Sequence, residues 1–408
     1  MLPFPIDSVR AQFPALRRIV NNRTAIYFDG PGGSQMLDKA ILAMTDYMQN
    51  GGANLHGQFT TSLETEHHIA KAKQALADFI AAKPQEIAFG ANSTSLLFSI
   101  SRALGRLWHP GEAVVVSEID HRANVDPWLS VAADKNMQVR WLPLDTETIS
   151  LELSGLDEII SKNTKLVAVT LSSNAVGTIT DIARIAARAH EVGALVAVDA
   201  VHAAPHISLD VNALGADILV CSLYKFFGPH IGMAYIREGI FKELPVYKLM
   251  PAPINIPDKL ETGTQNHEAI TAIPAVVEFL SGFGSGDSLR EKLITSFEAI
   301  EVYENSLADK IRSELGKIEG ITIYQAAGRK TPTIGFTLKN TAPAKVCKWM
   351  CDHHSIFVAD GDFYATTMAD KLNLNQNGGF IRVGLAPYNT AEEVDIFVKA
   401  MHDMVQHM

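Results

Sequence analysis

"ALVAVDAVHAAPHISLDVNALGADILVCSLYKFFGPH", residues 194–230, contains two short apolar runs that each end in polar side chains. The first run leads into Asp199 and His202, and the second leads into Ser222 and Lys225. Short apolar runs between polar segments are typical of buried strands. Because ligands of open α/β sheets bind where the strands end, we predict that these four side chains lie at a ligand-binding edge of a sheet.

Lys225 follows Tyr224 and precedes Phe226 and Phe227 in the sequence. Desolvation by aromatic neighbours would lower the pKa of this lysine and leave a nucleophilic amine. The alternative is a lysine at a strand end that extends its ammonium group to the surface. This stretch alone leaves both interpretations open.

Apolar runs alternate with helical patterns from about residue 85 to residue 236, for example IAFGA before STSLLFSISRAL and KLVAVTLSS before DIARIAARAHEVG. This alternation predicts an α/β fold with a mostly parallel sheet and helices on both faces. Beyond Gln265 the helical patterns become longer and strand-like segments follow them; Thr390 and Glu393 have the spacing of a capping box. We predict an N-terminal segment and large domain over residues 1–264 and a smaller α+β domain over residues 265–408.

Charge and hydropathy exclude several kinds of partner. The 408 residues carry a formal net charge of −10 and no run of Lys or Arg, whereas nucleic-acid binding needs a concentrated basic face. The stretch MLPFPIDSVRAQFPAL lacks the unbroken apolar segment of a signal peptide, and no later stretch is long enough to span a bilayer. We therefore expect a cytoplasmic protein without nucleic-acid or membrane partners.

Cysteine and histidine spacing gives no metal site. An odd number of cysteines spread over a long chain, Cys221, Cys347 and Cys351, argues against a disulfide framework and fits a reducing compartment. Cys347 and Cys351 share one helix face, where core packing explains them. The histidine pairs at residues 67–68 and 353–354 are adjacent, so their side chains diverge on a helix and neither pair can chelate a metal alone.

Three hydroxyl residues, Ser93, Thr94 and Ser95, follow IAFGA and begin a helical pattern. N–H groups and hydroxyls at a helix start suit one phosphate, although helix capping would also explain a serine or threonine here. Neither GxxxxGK(S/T) nor GxGxxG lies between a strand and a helix, so the P-loop and dinucleotide interpretations lose their main support. The segment FDGPGGS, residues 28–34, is interpreted as a turn.

A phosphate site, an aspartate and a lysine at one sheet edge are the groups that pyridoxal phosphate requires. The lysine bonds the cofactor covalently, and a buried carboxylate keeps its pyridine nitrogen protonated. Asp199 precedes Lys225 by 26 residues, which is enough for one excursion between strands. Alone, Asp199 would also fit a helix cap, so the interpretation depends on the three groups occurring together.

Motifs in a fixed order cover nearly the whole chain, from about Tyr27 to Val394; they are ANLHG, EIDHRAN, SSNAVGT, VDAVHA, SLYKFFGPHIG, LETGTQN and IRVGLAPYNTAEEVD. Together they resemble the class V aminotransferase family of fold-type-I pyridoxal-phosphate enzymes, and within it the cysteine desulfurase and selenocysteine lyase group. The resemblance implies a mostly parallel seven-stranded sheet in the large domain and a small α+β C-terminal domain. It also implies pyridoxal 5'-phosphate as the cofactor, a small amino acid as the substrate, and a homodimer with shared active sites.

The resemblance implies a role for individual side chains. Lys225 would bond the cofactor, Asp199 would pair with the pyridine nitrogen, and His121 would stack on the ring and move protons. Arg382, in FIRVGLAP, would bind the substrate carboxylate, which suits its planar guanidinium group. The other implied contacts are with the phenolic oxygen (Asn174, His202), the phosphate (Ser93, Thr94, Ser95, Ser222, Tyr224 and, from the opposite subunit, Thr264) and the margin of the site (His56).

One of these positions departs from the family's pattern, and three others also have simpler interpretations. Tyr224 stands where the family often has a histidine. Without the family, Arg382 would be interpreted as a surface ion pair, His56 as a solvated loop residue and Thr264 as part of a turn.

The resemblance ends at a loop shortly before Arg382, where desulfurases of this family carry a nucleophilic cysteine. Here the corresponding text is ADGDFYATTMAD, with Tyr364 near the expected place and no cysteine after Cys351. A persulfide cannot form without a thiol, so we expect C–S lysis by β-elimination on a small amino acid. Transamination and epimerisation stay open, as does a catalytically silent cofactor-binding dimer. Tyr364 either shapes the pocket or donates a proton, or it only fills a mobile loop.

Overall fold

The computed structural model describes residues 4–406 of the 408-residue chain. Its strands are β1 (Ile19–Val20), β2 (Arg23–Thr24), β3 (Ile26–Tyr27), β4 (Ile87–Gly90), β5 (Ala113–Ser117), β6 (Gln138–Leu142), β7 (Leu144–Asp145), β8 (Ser150–Leu151), β9 (Thr164–Thr170), β10 (Leu195–Asp199), β11 (Ile218–Ser222), β12 (Gly232–Ile236), β13 (Ile321–Tyr324), β14 (Thr333–Leu338), β15 (Ile356–Phe357), β16 (Ala359–Gly361) and β17 (Phe380–Gly384).

The α-helices in the same part of the chain are α1 (Ile6–Ala11), α2 (Asp38–Asn50), α3 (Thr60–Ile80), α4 (Ser93–Gly105), α5 (Asp126–Asp134), α6 (Leu156–Ile159), α7 (Ile182–Glu191), α8 (Val211–Leu214), α9 (Glu238–Glu243), α10 (His267–Thr271), α11 (Ile273–Ser281), α12 (Leu289–Leu315), α13 (Pro343–His354), α14 (Thr366–Lys371) and α15 (Ala391–Gln406). The outermost residues of the two predicted domains, 1–3 and 407–408, lie outside the described part.

A seven-stranded sheet with the order β4-β12-β11-β10-β9-β5-β6 forms the centre of the fold. Only β12 is antiparallel to its two neighbours, and the other pairs are parallel. The predicted α/β fold with a mostly parallel seven-stranded sheet is therefore confirmed.

The inner strands of this sheet are buried on both faces because helices cover both sides, whereas the edge strand β6 is partly exposed. Alternate residues of β9 show this, since Val167 and Val169 belong to one apolar core whereas Leu166 and Ala168 belong to another. The first core includes residues of α3, α7 and α11, and the second includes residues of α4 and α5. Side chains alternate between faces along a strand, so a continuous apolar run fills both cores at once.

A four-stranded antiparallel sheet, β13-β14-β17-β16, follows in the C-terminal part. Apolar side chains of α12, α13 and α15 form its core, together with Ile26 and Phe28 from the N-terminal segment. The Glu393 N–H donates to Thr390 Oγ1 at 3.1 Å and the Thr390 N–H donates to Glu393 Oε2 at 3.2 Å, which confirms the capping box at the start of α15. The domain boundary after residue 264 stays a prediction; α10 and α11, beyond it, pack on α2 and α3.

Across residues 4–406, no helix combines the length and the apolarity that crossing a bilayer demands.

Candidate active site

The carboxyl ends of three neighbouring parallel strands meet at a cavity of about 650 Å³. Thr170, Asp199 and Ser222, the last residues of β9, β10 and β11, all line it. Other polar lining residues come from the loops at this edge and from the start of α4; they include Ser93, Thr94, Ser95, His121, Asn174, His202, Tyr224 and Lys225. The structure thus brings ten of the predicted site residues around one cavity, and Thr170 joins them although it was not predicted.

Lys225 ends a short 3-10 turn, Leu223–Lys225, that follows β11 directly. Its Nζ points inward and donates a hydrogen bond to the carbonyl oxygen of Pro31. The pKa of Lys225 is lowered to about 8, chiefly because burial disfavours the ammonium form and also because the Arg382 guanidinium is near. This lysine therefore offers an uncharged, nucleophilic amine at mildly alkaline pH.

Asp199 lies below this lysine at the end of β10, where its Oδ1 accepts a hydrogen bond from the Val201 N–H at 2.9 Å. Burial raises the pKa of Asp199 to about 6, although Lys225 opposes the shift. A second buried carboxylate, Asp120, accepts from Thr170 N–H at 2.9 Å and from Asn124 Nδ2 at 2.8 Å. Burial, reinforced by the charge of Asp199, raises the pKa of Asp120 to about 7. The carboxyl groups of Asp199 and Asp120 thus lie at the sheet edge without a cationic side chain that fully balances their charge when they are ionised.

The start of α4 is joined to the end of β11. Ser222 Oγ accepts from the Ser93 N–H at 3.0 Å and lies 2.7 Å from Ser93 Oγ. Asn92 caps the helix, since its Oδ1 accepts from the Ser95 N–H at 2.9 Å while Ser95 Oγ accepts from the Asn92 N–H at 3.2 Å. Ser95 therefore serves the cap, and the exposed Thr94 faces the cavity. Capping and anion binding are compatible here because the helix start still presents its dipole to the cavity.

His121 lies at the cavity mouth beneath Tyr364, with 5.2 Å between the ring centroids and 32° between the planes. The Ala123 N–H donates to His121 Nδ1 at 3.0 Å, so the neutral ring carries its proton on Nε2. The pKa of His121 is lowered to about 4, mainly by burial and next by Lys225. His121 is thus uncharged near neutral pH.

His202 lies deeper in the cavity wall. Its Nε2 lies 3.1 Å from Thr331 Oγ1 and 3.0 Å from Thr333 Oγ1, which connects it to the C-terminal part of the chain. Burial lowers the pKa of His202 well below its ordinary value.

The guanidinium group of Arg382, on β17, is paired with neighbouring side chains and is not exposed to solvent. It is only 3 % exposed, and its Nη2 donates to Asp29 Oδ1 at 2.7 Å. Its Nη1 donates to the Asn174 carbonyl oxygen at 3.1 Å, and its guanidinium lies 3.7 Å from the centroid of the Phe363 ring. Among the described residues, Arg382 Nε and Asn174 Oδ1 are buried without a partner. Asn174 lines the cavity, whereas Arg382 lies next to Asn174 without lining the cavity itself, so both unpartnered groups are candidates for binding a ligand.

Asp29 belongs to the segment that sequence analysis interpreted only as a turn. Its contact with Arg382 joins positions 353 residues apart, so no local pattern indicates it.

His56 and Thr264 do not line the cavity that contains Lys225. Both line a second cavity of about 340 Å³, whose wall includes Lys248, Glu261 and His267. His56 has a 79 % exposed side chain, and its backbone N–H donates to Glu66 Oε1 at 2.7 Å. Within a single chain, neither residue lines the Lys225 cavity, although Thr264 also lines a third cavity of about 600 Å³ that shares Ser95 and His230 with it.

Metal binding has no support in the geometry: within residues 4–406, no three His, Cys, Asp or Glu side chains form a group that could hold a metal ion.

Comparison with known sequences places these features in context. The sequence signature of the family described as "Aminotransferase class-V" matches residues 26–397. The chain is 31 % identical to "Aminotransferase-like protein FGM3" of Gibberella zeae over 409 residues, with 98 % of each chain covered. It is 30 % identical to a cysteine desulfurase of Enterobacter sp. over 416 residues, again with 98 % of each chain covered.

Solved structures give the same picture of the fold. The apo cysteine desulfurase from Thermococcus onnurineus NA1 superimposes with a TM-score of 0.87 at 27 % identity, with both chains covered completely. The cysteine desulfurase CsdA from Escherichia coli superimposes with a TM-score of 0.86 at 23 % identity, also over both whole chains. The second likeness concerns the fold alone.

Proposed function

The chain belongs to the class-V aminotransferase family, whose members depend on pyridoxal phosphate, and we propose that it is a pyridoxal-phosphate enzyme that cleaves a small amino acid by β-elimination, with C–S lysis as its chemistry. The observation that carries the proposal is the cavity itself: an amine with a lowered pKa, Lys225, lies with the buried Asp199 at one sheet edge, and the aromatic ring of Tyr364 packs against His121, which lines the cavity.

The side chains around the cavity fit pyridoxal phosphate. Lys225 would bond the cofactor, Asp199 would face its ring nitrogen and His121 would lie on its ring face. The start of α4 with Ser222 would hold the phosphate, because a helix N-terminus attracts anions. The unpartnered Asn174 Oδ1 is suited to a polar group of the cofactor or substrate. When bound, pyridoxal phosphate supplies an electron sink for the negative charge that deprotonation leaves at Cα.

Three side chains of the protein would act directly on the substrate or on the group that binds it. Lys225 Nζ, whose pKa is near 8, accepts the Cα proton. The free Nε of Arg382 donates to the substrate carboxylate. The Phe363 ring covers the guanidinium and keeps water from it. Together these groups hold Cα–H near the base while the Cβ–S bond breaks.

A persulfide route lacks a thiol at the site. None of the three cysteines, all within the described residues, lines the cavity. Burial raises the pKa of both Cys221 and Cys347 above the ordinary value, which disfavours the thiolate. Cys351 lies in the last turn of α13. Tyr364 is 68 % exposed at the mouth of the cavity, and a phenol accepts no sulfur.

Product analysis tests the proposed reaction. The purified protein, supplied with pyridoxal phosphate, is incubated with L-cysteine and with other β-substituted amino acids. β-Elimination breaks the Cα–H and Cβ–S bonds and, with one water, converts cysteine to pyruvate, ammonia and sulfide. We expect these products in equal amounts and no alanine, measured by coupled assays and chromatography.

Each alternative has its own readout. A 2-oxo acid formed only with an amino acceptor would identify an aminotransferase, and loss of enantiomeric purity without ammonia would identify an epimerase. No turnover of any amino acid would favour a silent cofactor-binding dimer. Alanine formed together with a protein-bound persulfide, and lost in Cys351→Ser, would show that the nucleophile is a cysteine after all.

We also propose a symmetric homodimer in which Thr264 completes the site of the opposite subunit. Large apolar side chains on the segment before Thr264 support an interface there: Tyr247, Leu249, Met250 and Ile254 are 62–91 % exposed. Exposed apolar residues that cluster in this way mark protein contacts.

Complementation between inactive variants tests this shared site. We expect sedimentation to show a dimer, and Thr264→Ala to weaken cofactor binding by about tenfold because one phosphate hydrogen bond is lost. A mixed dimer of Thr264→Ala and Lys225→Ala subunits would contain one intact site and one doubly defective site. After random exchange, about half of the dimers are mixed, so about one site in four of the whole sample is intact. The measurement is turnover at limiting cofactor. Activity no higher than that of the Thr264→Ala dimer, or a monomer with full cofactor occupancy, would refute the shared site.

A further inference from the structure

The turn formed by residues 29–34 contacts both functional ends of the site. Asp29 pairs with Arg382 at 2.7 Å, and the Pro31 carbonyl oxygen accepts a hydrogen bond from Lys225 Nζ. Two residues of one short turn thus contact the proposed base and the proposed carboxylate-binding group. The sequence of this segment alone indicates only a turn.

The same turn is joined to the backbone around Lys225. The Ser34 N–H donates to the Tyr224 carbonyl oxygen at 3.0 Å, and the Phe227 N–H donates to Ser34 Oγ at 2.7 Å. The backbone on both sides of Lys225 is therefore held by one serine.

The turn also lies directly against the end of β17. The Gly30 N–H donates to the Gly384 carbonyl oxygen at 3.2 Å. A Cβ at position 384 would lie 2.0 Å from Pro31 Cδ, so this close approach requires the glycine. The strand of Arg382 and the turn of Asp29 are therefore packed directly against each other.

Charge adds a second link between the two ends. The titratable and charged groups that face Lys225 are Arg382, Asp29, Asp199, His121 and His202. The Arg382 charge lowers the pKa of Lys225, whereas the Asp29 charge raises it. Asp29 is hydrogen-bonded to Arg382, and its negative charge also offsets the effect of the Arg382 charge on the pKa of Lys225.

We propose that Asp29 is a positioning residue that orients Arg382 for the substrate carboxylate and offsets the charge of Arg382 at Lys225. With Nη2 bonded to Asp29 and Nη1 bonded to the Asn174 carbonyl, Arg382 presents Nε to a ligand. This inference rests on the proposed function, since it assumes that Arg382 binds an amino-acid carboxylate. The opposing idea is that Asp29 competes with the substrate for the same guanidinium.

Steady-state kinetics separate these two ideas. Asp29→Ala removes both the charge and the acceptor, so we expect the KM of the amino-acid substrate to rise about tenfold with kcat changed by less than about threefold, because a loosened arginine mainly weakens carboxylate binding. Asp29→Asn keeps an oxygen acceptor, so a smaller rise in KM is expected. A fall in KM in either variant would identify Asp29 as a competitor and overturn the proposal.

Labelling of Lys225 in the cofactor-free protein provides a readout that needs no turnover. An amine-acylating reagent is applied over a range of pH, and the modification of Lys225 is followed by peptide mass spectrometry. With the Asp29 charge removed, the Arg382 field is less screened, so both variants should label about threefold faster than the parent near pH 7. An unchanged rate in Asp29→Asn would refute the electrostatic part even if no amino acid is turned over.

Asp309→Asn is a matched control. Asp309 is an exposed aspartate whose Oδ1 accepts from the buried Arg312 at 2.9 Å, and it does not line the cavity. We expect it to leave both KM and Lys225 labelling unchanged. Changes in Asp309→Asn equal to those in Asp29→Asn would mean that any lost aspartate–arginine pair has this effect, and would overturn the specific role of Asp29.

Discussion

Replacing Lys225 with alanine is expected to lower turnover of the amino-acid substrate by at least about 10³-fold. The variant loses both the nucleophile that would bond pyridoxal phosphate and the base for the Cα proton. The pKa of this lysine, lowered to about 8 by burial and by Arg382, makes its amine available for both tasks. The measurement is kcat at saturating cofactor, together with borohydride reduction and peptide mapping, which should place the reduced cofactor on Lys225 of the parent protein.

Lys73→Met is the control for this substitution. Lys73 is also a buried lysine, but it is ion-paired with Glu261 at 3.2 Å and does not line the cavity. We expect the reduced adduct to persist in this variant and to be absent from Lys225→Ala. Small primary amines added to the alanine variant should restore part of the turnover, because they can supply a base in the vacated space. A reduced adduct on any other lysine of the parent protein would refute the assignment.

Local patterns were sufficient for the central part of the fold. Six of the seven strands follow from apolar runs, because a strand buried on both faces needs a continuous run rather than alternation. The edge strand β6, QVRWL, is partly exposed and has no such run. The start of α15 follows from Thr390, whose capping contact with Glu393 acts within three residues. The start of α4 follows from the three hydroxyl residues, although the residue that caps this helix is Asn92 just before them. Parallel pairing then requires that the residues after β9, β10 and β11 meet at one edge, which is why the position of Asp199 beside Lys225 could be anticipated.

Contacts between distant segments could not be read from the sequence. Asp29 and Arg382 are 353 residues apart, and their pairing depends on how β17 lies against the N-terminal turn. Phe363 and Tyr364 adopt left-handed backbone conformations, with φ of 54° and 58°, that no sequence rule predicts for aromatic residues. His56 and Thr264 do not line the Lys225 cavity. The role predicted for Thr264 belongs to the site of an opposite subunit, which the sequence of one chain does not position, and the role predicted for His56 stays a prediction.

Asp199→Asn should have opposite effects on activity and on stability. In the cofactor-loaded protein we expect kcat/KM to fall by about 10²–10³-fold, because an amide has no charge with which to keep the pyridine nitrogen protonated. In the cofactor-free protein we expect a gain in the free energy of unfolding. Burial raises the pKa of Asp199 from 3.8 to about 6, so ionising this carboxyl costs the folded state about 3 kcal/mol at pH values well above 6.

The sign of the pH dependence follows from the raised pKa. Because the folded protein binds the Asp199 proton more tightly than the unfolded chain does, stability is highest below about pH 4 and falls as the pH rises to about 6. The stability advantage of Asp199→Asn over the parent should therefore be near zero around pH 4 and complete near pH 8. Denaturant midpoints of the two cofactor-free proteins at several pH values measure it. Asp120 stays in both proteins, but its pKa, raised to about 7 by burial and also by the Asp199 charge, should fall in Asp199→Asn, which adds to the advantage of the variant at high pH.

Asp210→Asn is the control for Asp199→Asn, because Asp210 is a carboxylate that caps a helix and Asp199 is proposed to act on the cofactor. Asp210 caps α8, where its Oδ1 accepts from the Asn212 N–H at 2.9 Å and the Ala213 N–H at 3.0 Å. A carboxylate that mainly caps a helix stabilises the fold, so Asp210→Asn should give no gain near pH 8. If Asp199→Asn also gave no gain, or a loss, its bond to the Val201 N–H would be the reason for the aspartate, and the case for a cofactor counter-charge would fail. A stabilised but inactive Asp199→Asn would instead mean that the fold tolerates a buried charge because the bound cofactor neutralises it.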